Sequence, residues 1–290
     1  VPAVVVQDVP RALGMLAAEH LRRLRAGGDL RVVAMTGSVG KTTTKDLLGS
    51  IFSHDGPTVA PVRSFNNEVG LPVTVLRCEE NTSTLVLEMG ASGPGHIRYL
   101  TDIAAPDVAA VLTVGSAHLG GFGGVEGIAL AKSEIVTGLA PGGVAVLNAD
   151  DPRGIAMRSL AKRVVTFGRT PSADVVAADL SMVDGARARF TLVDRRGLAE
   201  GSSDASAPSA VVTLALVGEH HVTNALAAAA IALVCGIPLA QVAHRLASAG
   251  AISPHRMAVT ELTDGTTIVD DSYNANPESM RAALKALVAM

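Results

Sequence analysis

The chain is expected to fold as an α/β protein: a central, mostly parallel sheet with helices on both faces, an added antiparallel β segment, and the truncated start of a further α/β unit. Three observations point there. From Arg31 onward, short β-branched runs alternate with segments long enough for helices, the pattern of a parallel sheet covered on both sides. A glycine turn, Thr36-Gly37-Ser38-Val39-Gly40-Lys41-Thr42, separates an apolar run from a helix-like stretch. Between Gly168 and Gly218 the pattern changes to alternation, as in Ala188-Arg189-Phe190-Thr191-Leu192-Val193, which reads as antiparallel strands.

In chain order, Val4–Val6 reads as a strand, Arg11–Arg25 as an amphipathic helix and Gly27-Gly28-Asp29 as a linker. Strands follow at Val32–Met35, Thr58–Ala60, Leu85–Glu88, Val108–Val114, Val144–Leu147 and Val164–Phe167, with a helix over Thr43–Phe52. Gly201–Pro208 is small and polar and reads as a mobile loop. Helical pattern returns at Val222–Val234 and Leu239–Ala249, and Thr267–Asp270 reads as the first strand of a new unit. Asn276 and Pro277 are an N-cap and first-turn pair for a last helix with Met280, Leu284 and Leu287 on one face. Val4–Val6 has nothing before it to pair with, and the last helix presents its apolar row to no later element. A piece of a longer polypeptide is therefore expected.

Composition narrows the function. A net charge of −3 gives no electrostatic footprint for nucleic acid, and 2% aromatics without tryptophan offers no base-stacking surface. Cys78 and Cys235 are the only cysteines and neither has a metal-type partner nearby in sequence, so a reduced, cytoplasmic setting is expected. The longest apolar run, Ala225–Cys235, is too short to span a bilayer, so no membrane insertion is expected.

The glycine turn carries the chemistry. Strand, glycine turn, Gly-Lys-Thr and helix is how a chain holds nucleotide phosphates: backbone N–H groups and a helix N-terminus face the anion, Lys41 reaches the outer phosphates, and Thr42 ligates Mg²⁺. The full Walker pattern wants glycine six positions before the lysine, where Met35 stands. Glu88 ends a strand, where an acid either ligates or orients water at the metal, or is a solvated strand-end carboxylate. His118, in the loop Gly115–Gly123, also follows a strand, where it either contacts metal or phosphate or is a structural histidine of a glycine loop. Lys132 falls on the apolar stripe of its helix with Ile128, Ile135 and Leu139. There it is either paired in a site or packed along its stem with the amine reaching water, and Glu134 is either its partner or a solvent-facing acid. Asn66-Asn67-Glu68-Val69-Gly70 either positions substrate or forms a capped turn, and Asn148–Pro152 is either a helix cap or a ligand loop. His220 and His221, as neighbours, are expected to point apart and not to bind metal.

Taken together, these segments resemble the Mur ligases, ATP-dependent amide-forming enzymes of peptidoglycan synthesis. The carriers are Thr36–Lys45, Asn66–Pro72, Glu88-Met89-Gly90-Ala91, Ala117-His118-Leu119 with Phe122-Gly123, Ala131–Ile135, Leu147–Pro152, Gly218–Ala229 and Asp270–Pro277. The resemblance is strongest to the member that adds D-alanyl-D-alanine to the UDP-N-acetylmuramoyl-tripeptide. It implies the end of a UDP-sugar domain and a linker at residues 1–30, a P-loop ATPase-like middle domain at 31–255 and the truncated start of an amine-binding ligase domain at 256–290. Gly37, Ser38, Val39, Gly40, Lys41, Thr42 and Thr43 would hold the ATP phosphates, with Thr42 on Mg²⁺. Glu88, His118 and Lys132 (as a carbamate) would hold a second Mg²⁺. Asn224 would contact adenine, Arg256 the γ-phosphate and Asp271 the ribose, with Asn66 and Asn67 in the substrate region. His221 stands where the family motif has asparagine and is left out of the site. A monomer is implied, with an acyl phosphate as the intermediate. The rival expectations are another Mur ligase or a folylpolyglutamate-type ligase and, in a different class, a P-loop regulatory module without ligase chemistry.

Overall fold

The computed structural model of the chain describes residues 3–115, 122–198, 206–250 and 252–290. A nine-stranded sheet organises it, in the order β2-β3-β1-β4-β5-β6-β7-β8-β9. The strands are β1 (Arg31–Thr36), β2 (Thr58–Val59), β3 (Thr84–Glu88), β4 (Val108–Val111), β5 (Val144–Asn148), β6 (Val164–Gly168), β7 (Val175–Val183), β8 (Arg187–Asp194) and β9 (Ser209–Val217). Pairing is parallel from β2 through β7 and antiparallel across β7-β8-β9. The α/β expectation and its added antiparallel segment are both present.

Alternation along β1 divides the core. Val33 and Met35 pack on one face with α2 (Lys41–Phe52) and α7 (His221–Val234). Val32 and Ala34 pack on the other with α1 (Val9–Gly27), α4 (His96–Ile103) and α5 (Val125–Thr137). A strand with both faces apolar belongs at the centre of such a sheet. α3 (Gly70–Val75) adds Leu71 and Val75 to the second face, and α8 (Leu239–Ser248) adds Val242 and Leu246 to the first. On α8, Arg245 makes two hydrogen bonds to Asp55, of 2.5 and 2.8 Å, which tie the helix to the end of α2.

Several expectations need correction. Val4–Val6 is not a strand: it is irregular, and Val4 and Val5 are 89% and 96% exposed. β-branched residues favour extended backbone, but a strand needs a neighbour for its N–H and C=O groups, and none pairs with them among the described residues. β4 ends at Val111, three residues early. Beyond it the backbone turns to other partners: Leu112 O accepts from Asn148 Nδ2 at 2.7 Å, and Thr113 O from Ser38 N at 2.9 Å. Thr267–Asp270 (β11) is the second strand of an antiparallel pair with β10 (Ala258–Glu261). The last helix, α9 (Pro277–Ala289), has its expected cap at Asn276, and its row of Met280, Leu284 and Leu287 stands exposed. The loop expected at Gly201–Pro208 lies mostly outside the described residues.

Met35 shows why the Walker pattern is short. It is the penultimate residue of β1, fully buried against the α2 face of the core, so the sixth position before Lys41 belongs to the strand and not to the loop. Met35→Gly, which restores the longer pattern on paper, is expected to destabilise the fold by about 3–5 kcal/mol through the lost side chain and the freed backbone. Urea unfolding measures this, and a loss below about 1 kcal/mol would contradict the buried placement.

Candidate active site

The carboxyl ends of β3, β1 and β4 lie side by side, and the turn after β1 leads into α2. Gly40 is the N-cap of α2, with φ of 86°. A Cβ there would also stand 2.2 Å from Asn224 Oδ1, so glycine is required twice over. The turn is strapped to the segment after β4: Ser38 N donates to Thr113 O at 2.9 Å, Val39 N to Thr113 Oγ1 at 3.3 Å, and Gly115 N to Ser38 Oγ at 2.9 Å. No side chain caps α2 and its first turn holds no acid. Asp8 caps α1, Asp151 caps α6 (Pro152–Ala156) and Asn276 forms a capping box on α9, while α5, α7 and α8 share the open end of α2; what sets α2 apart is the glycine turn that leads into it and the cleft its first residues line. The open N–H groups of α2 therefore face the cleft with their positive end unneutralised, as an anion site requires.

Around that helix end the polar side chains are deeply placed. Thr42 is 6% exposed, and its hydroxyl lies 2.9 Å from Ser64 Oγ and 3.3 Å from Arg256 Nη2. Glu88, at the end of β3, is 1% exposed; Asn66 Nδ2 donates to its Oε1 at 3.0 Å, while Oε2 has no donor among the described residues. A buried carboxylate oxygen without a partner is costly, and a bound cation relieves that cost. Lys41 Nζ folds back onto Gly37 O at 2.7 Å. Desolvation lowers its pKa, Glu88 opposes that shift, and Arg256 adds to it. Lys132, on α5, is buried among apolar neighbours as its helical position predicts. Its pKa is pushed down to about 7, first by desolvation and then by the charge on Lys41.

The residues expected to hold nucleotide converge. Lys41, Thr42, Glu88, Asn224, Arg256 and Asp271 line one cleft of about 450 Å³. Asn66 and Lys41 also border a neighbouring cavity of about 720 Å³ that reaches Lys132 and Asn67. Asn67 has a local duty as well, since its Oδ1 accepts from Gly70 N at 2.9 Å at the start of α3. Arg256 stacks on Tyr273 at 3.9 Å from the ring centre. It sits between two left-handed residues, His255 (φ 62°) and Met257 (φ 51°); such conformations cost on the order of 1–3 kcal/mol each and persist where the surroundings enforce them. Met257 N donates to Asp271 Oδ1 at 3.2 Å, and burial raises the Asp271 pKa against the opposing pull of that bond and of Arg256.

Other expected residues resolve differently. His118 lies outside the described residues. Glu134 is not the partner of Lys132: its carboxylate accepts from Gly95 N at 2.6 Å and Arg98 N at 2.9 Å, capping α4 across the helix pair. Two positions on from Lys132, it points to a different side of α5. Asn148–Pro152 is a cap, with Asp151 Oδ1 accepting from Arg153 N and Gly154 N. His220 and His221 do not point apart, because their ring centroids are 4.0 Å from each other. No cluster of metal-ligand residues forms there or elsewhere among the described residues. His221 belongs to the cleft wall, though it was left out of the expected site; its Nε2 is buried without a partner, and burial beside His220 holds its pKa well below the ordinary value. Ser64 and Tyr273 were also missed. Nothing in the local sequence marks Ser64, whereas Tyr273 lies inside the polar segment Asp270–Pro277 and the histidine pair heads an alanine-rich helix, both usable signals.

Comparison with known proteins follows the same lines. A model of the Mur ligase middle domain matches residues 35–232. The UDP-N-acetylmuramoyl-tripeptide–D-alanyl-D-alanine ligase of Mycobacterium tuberculosis H37Rv is 48% identical over 277 residues, covering 95% of this chain and 52% of that one. MurF from Acinetobacter baumannii superposes with a TM-score of 0.88 at 37% identity, covering 99% of this chain and 60% of that one. MurF from Thermotoga maritima in complex with ADP gives a TM-score of 0.83 at 32% identity, covering 98% and 62%. The chain spans about half the length of the curated relatives it matches. With the middle-domain model matching most of its length, and with this fold, the chain belongs to the Mur ligase family.

Proposed function

We propose that the chain is the nucleotide-binding, phosphoryl-transfer part of an ATP-dependent ligase that adds D-alanyl-D-alanine to UDP-N-acetylmuramoyl-tripeptide. The M. tuberculosis relative carries that name at 48% identity, and the T. maritima neighbour was solved with ADP. The observation that carries the reading is the donorless Oε2 of buried Glu88, in one cleft with an uncapped helix, Lys41 and Thr42. A regulatory nucleotide module has no use for a second cation position of that kind. The division at residues 1–30, 31–255 and 256–290 belongs to the same proposal, with the middle stretch as the ATP domain.

The open amides of α2 and the loop Gly37–Thr43 bind the phosphate chain, and Lys41 leaves Gly37 O for the outer phosphates. Asn224, against Gly40, contacts adenine; Asp271 meets the ribose; Arg256, on Thr42, meets the γ-phosphate. Thr42 would hold one Mg²⁺. Glu88, His118 and Lys132 would hold a second, Lys132 as a carbamate, for which a neutral amine near pH 7 is the needed reactant. Bound there, the metals supply charge neutralisation at the phosphoryl oxygens. Asn66 and Asn67 border the side from which a substrate carboxylate enters. That carboxylate attacks the γ-phosphorus and ADP leaves; the incoming amine then attacks the acyl carbon and phosphate leaves. The chain contributes alignment and preorganised positive charge.

Titration calorimetry with Mn²⁺ and a non-hydrolysable ATP analogue is expected to give two metals per nucleotide, and one after Glu88→Gln. Two metals in the variant would remove Glu88 from the site. In a polypeptide that joins this chain to the flanking segments of its relatives, D-alanyl-D-alanine is expected to support ADP release where diaminopimelate and glutamate do not. The chain alone is expected to form little or no product. Robust product from it would contradict the partial-site reading.

Lys132 gives a pH test. Its folded-state pKa of about 7 lies below the ordinary value of 10.5, so the unfolded chain binds more protons between those limits and stability rises with pH across them. In carbonate-free buffer Lys132→Met is expected to be more stable than the unaltered chain at about pH 6, with the gap closing toward about pH 10. A pH-independent gap in urea unfolding would contradict the desolvation of this amine.

A further inference from the structure

One turn beyond the phosphate loop, α2 carries a second charged pair that the proposed chemistry does not use. Lys45 and Asp46 are 3% and 8% exposed at their side chains and pair directly with each other. Lys45 Nζ also donates to Pro61 O at 3.1 Å and to Ser253 Oγ at 3.2 Å, so all three ammonium protons are engaged. Asp46 Oδ2 accepts from Ser253 N at 3.0 Å, so both carboxylate oxygens are engaged as well. A closed ionic network of this kind is weak evidence of added stability, since well-packed apolar residues serve as well; its argued use is to fix one arrangement over others.

What it fixes can be followed along the chain. The segment held at Pro61 continues to Ser64, which bonds Thr42, and to Asn66, which bonds Glu88. The segment held at Ser253 continues to Arg256, which bonds Thr42 and stacks on Tyr273. The two left-handed residues around Arg256 need an enforcing frame. That frame is Ser253 on Asp46 and Lys45 at one end, and Tyr273 N on His255 O with Met257 N on Asp271 at the other.

We propose that Lys45 and Asp46 are positioning residues that clamp residues 253–256 to the phosphate-loop helix and so hold Arg256 where the γ-phosphate of bound ATP lies. The inference rests on the reading of Arg256 as a γ-phosphate contact.

The test compares ATP with ADP. Dissociation constants for both are measured by calorimetry on the chain and on Arg256→Ala, Asp46→Asn, Ser253→Ala and the Asp46→Asn/Arg256→Ala double variant. Arg256→Ala and Asp46→Asn are each expected to weaken ATP about tenfold, and Ser253→Ala several-fold, while ADP changes less than about twofold. The double variant is expected to bind ATP no more weakly than Arg256→Ala alone, because both changes remove one interaction. Should Asp46→Asn fail to fold, Lys45→Met/Asp46→Leu replaces the pair without leaving a buried charge, and the same selective loss of ATP affinity is expected. Equal losses for ATP and ADP, or additive losses in the double variant, would overturn the clamp. A loss in Arg256→Ala with none in the clamp variants would overturn the clamp and spare the Arg256 reading. Unchanged ATP affinity in Arg256→Ala would overturn both.

Discussion

Positive charge gathered at one rim of the sheet, on buried Lys132 and half-buried Lys41 and Arg256, is the constraint on which the site turns. Lys41 has Glu88 as its stabilising neighbour, while Arg256 repels it and Lys132 feels its charge in return. The uncapped end of α2 adds partial positive charge at the same place. Such an arrangement is poorly balanced by itself. It becomes favourable when an anion brings several negative oxygens against the helix end and a cation meets the free oxygen of Glu88. A site that is unsatisfied alone and satisfied by ligand is what a binding cleft requires.

The sheet makes this possible by topology. β1 lies between β3 and β4 in parallel register, Met35 opposite Glu88 and Thr36 opposite Val111. Their carboxyl ends therefore share one rim, where ligands of open α/β sheets collect. Apolar residues bury both faces of β1, so the polar groups at its end stand on a rigid base. The strands β7 to β9 extend the sheet on its far side.

Much of this was legible in the sequence because the signals are local. The strand, turn and helix around Lys41, the strand ending at Glu88 and the apolar stripe holding Lys132 depend on periodicity and on neighbours within a turn or two. What was illegible depends on contacts between distant segments. Glu134 lies two residues from Lys132 yet serves α4, a choice made by helix packing. Asp46 binds a backbone N–H 207 residues away. His221 was set aside because it departs from the family's asparagine, although its place in the cleft wall follows from the α7 backbone whichever side chain it carries. Val4–Val6 has strand composition without a strand partner, and composition does not supply one.

The phosphate chain and both metals are expected to occupy this one rim. The direct measurement is a crystal structure of the chain with a non-hydrolysable ATP analogue and Mn²⁺, read by anomalous scattering. The expected result is two manganese peaks, one within ligand distance of Thr42 Oγ1 and one of Glu88 Oε2, with the γ-phosphate against Lys41 and Arg256. A triphosphate bound away from the amides of α2, or manganese that leaves Glu88 Oε2 without a partner, would contradict it.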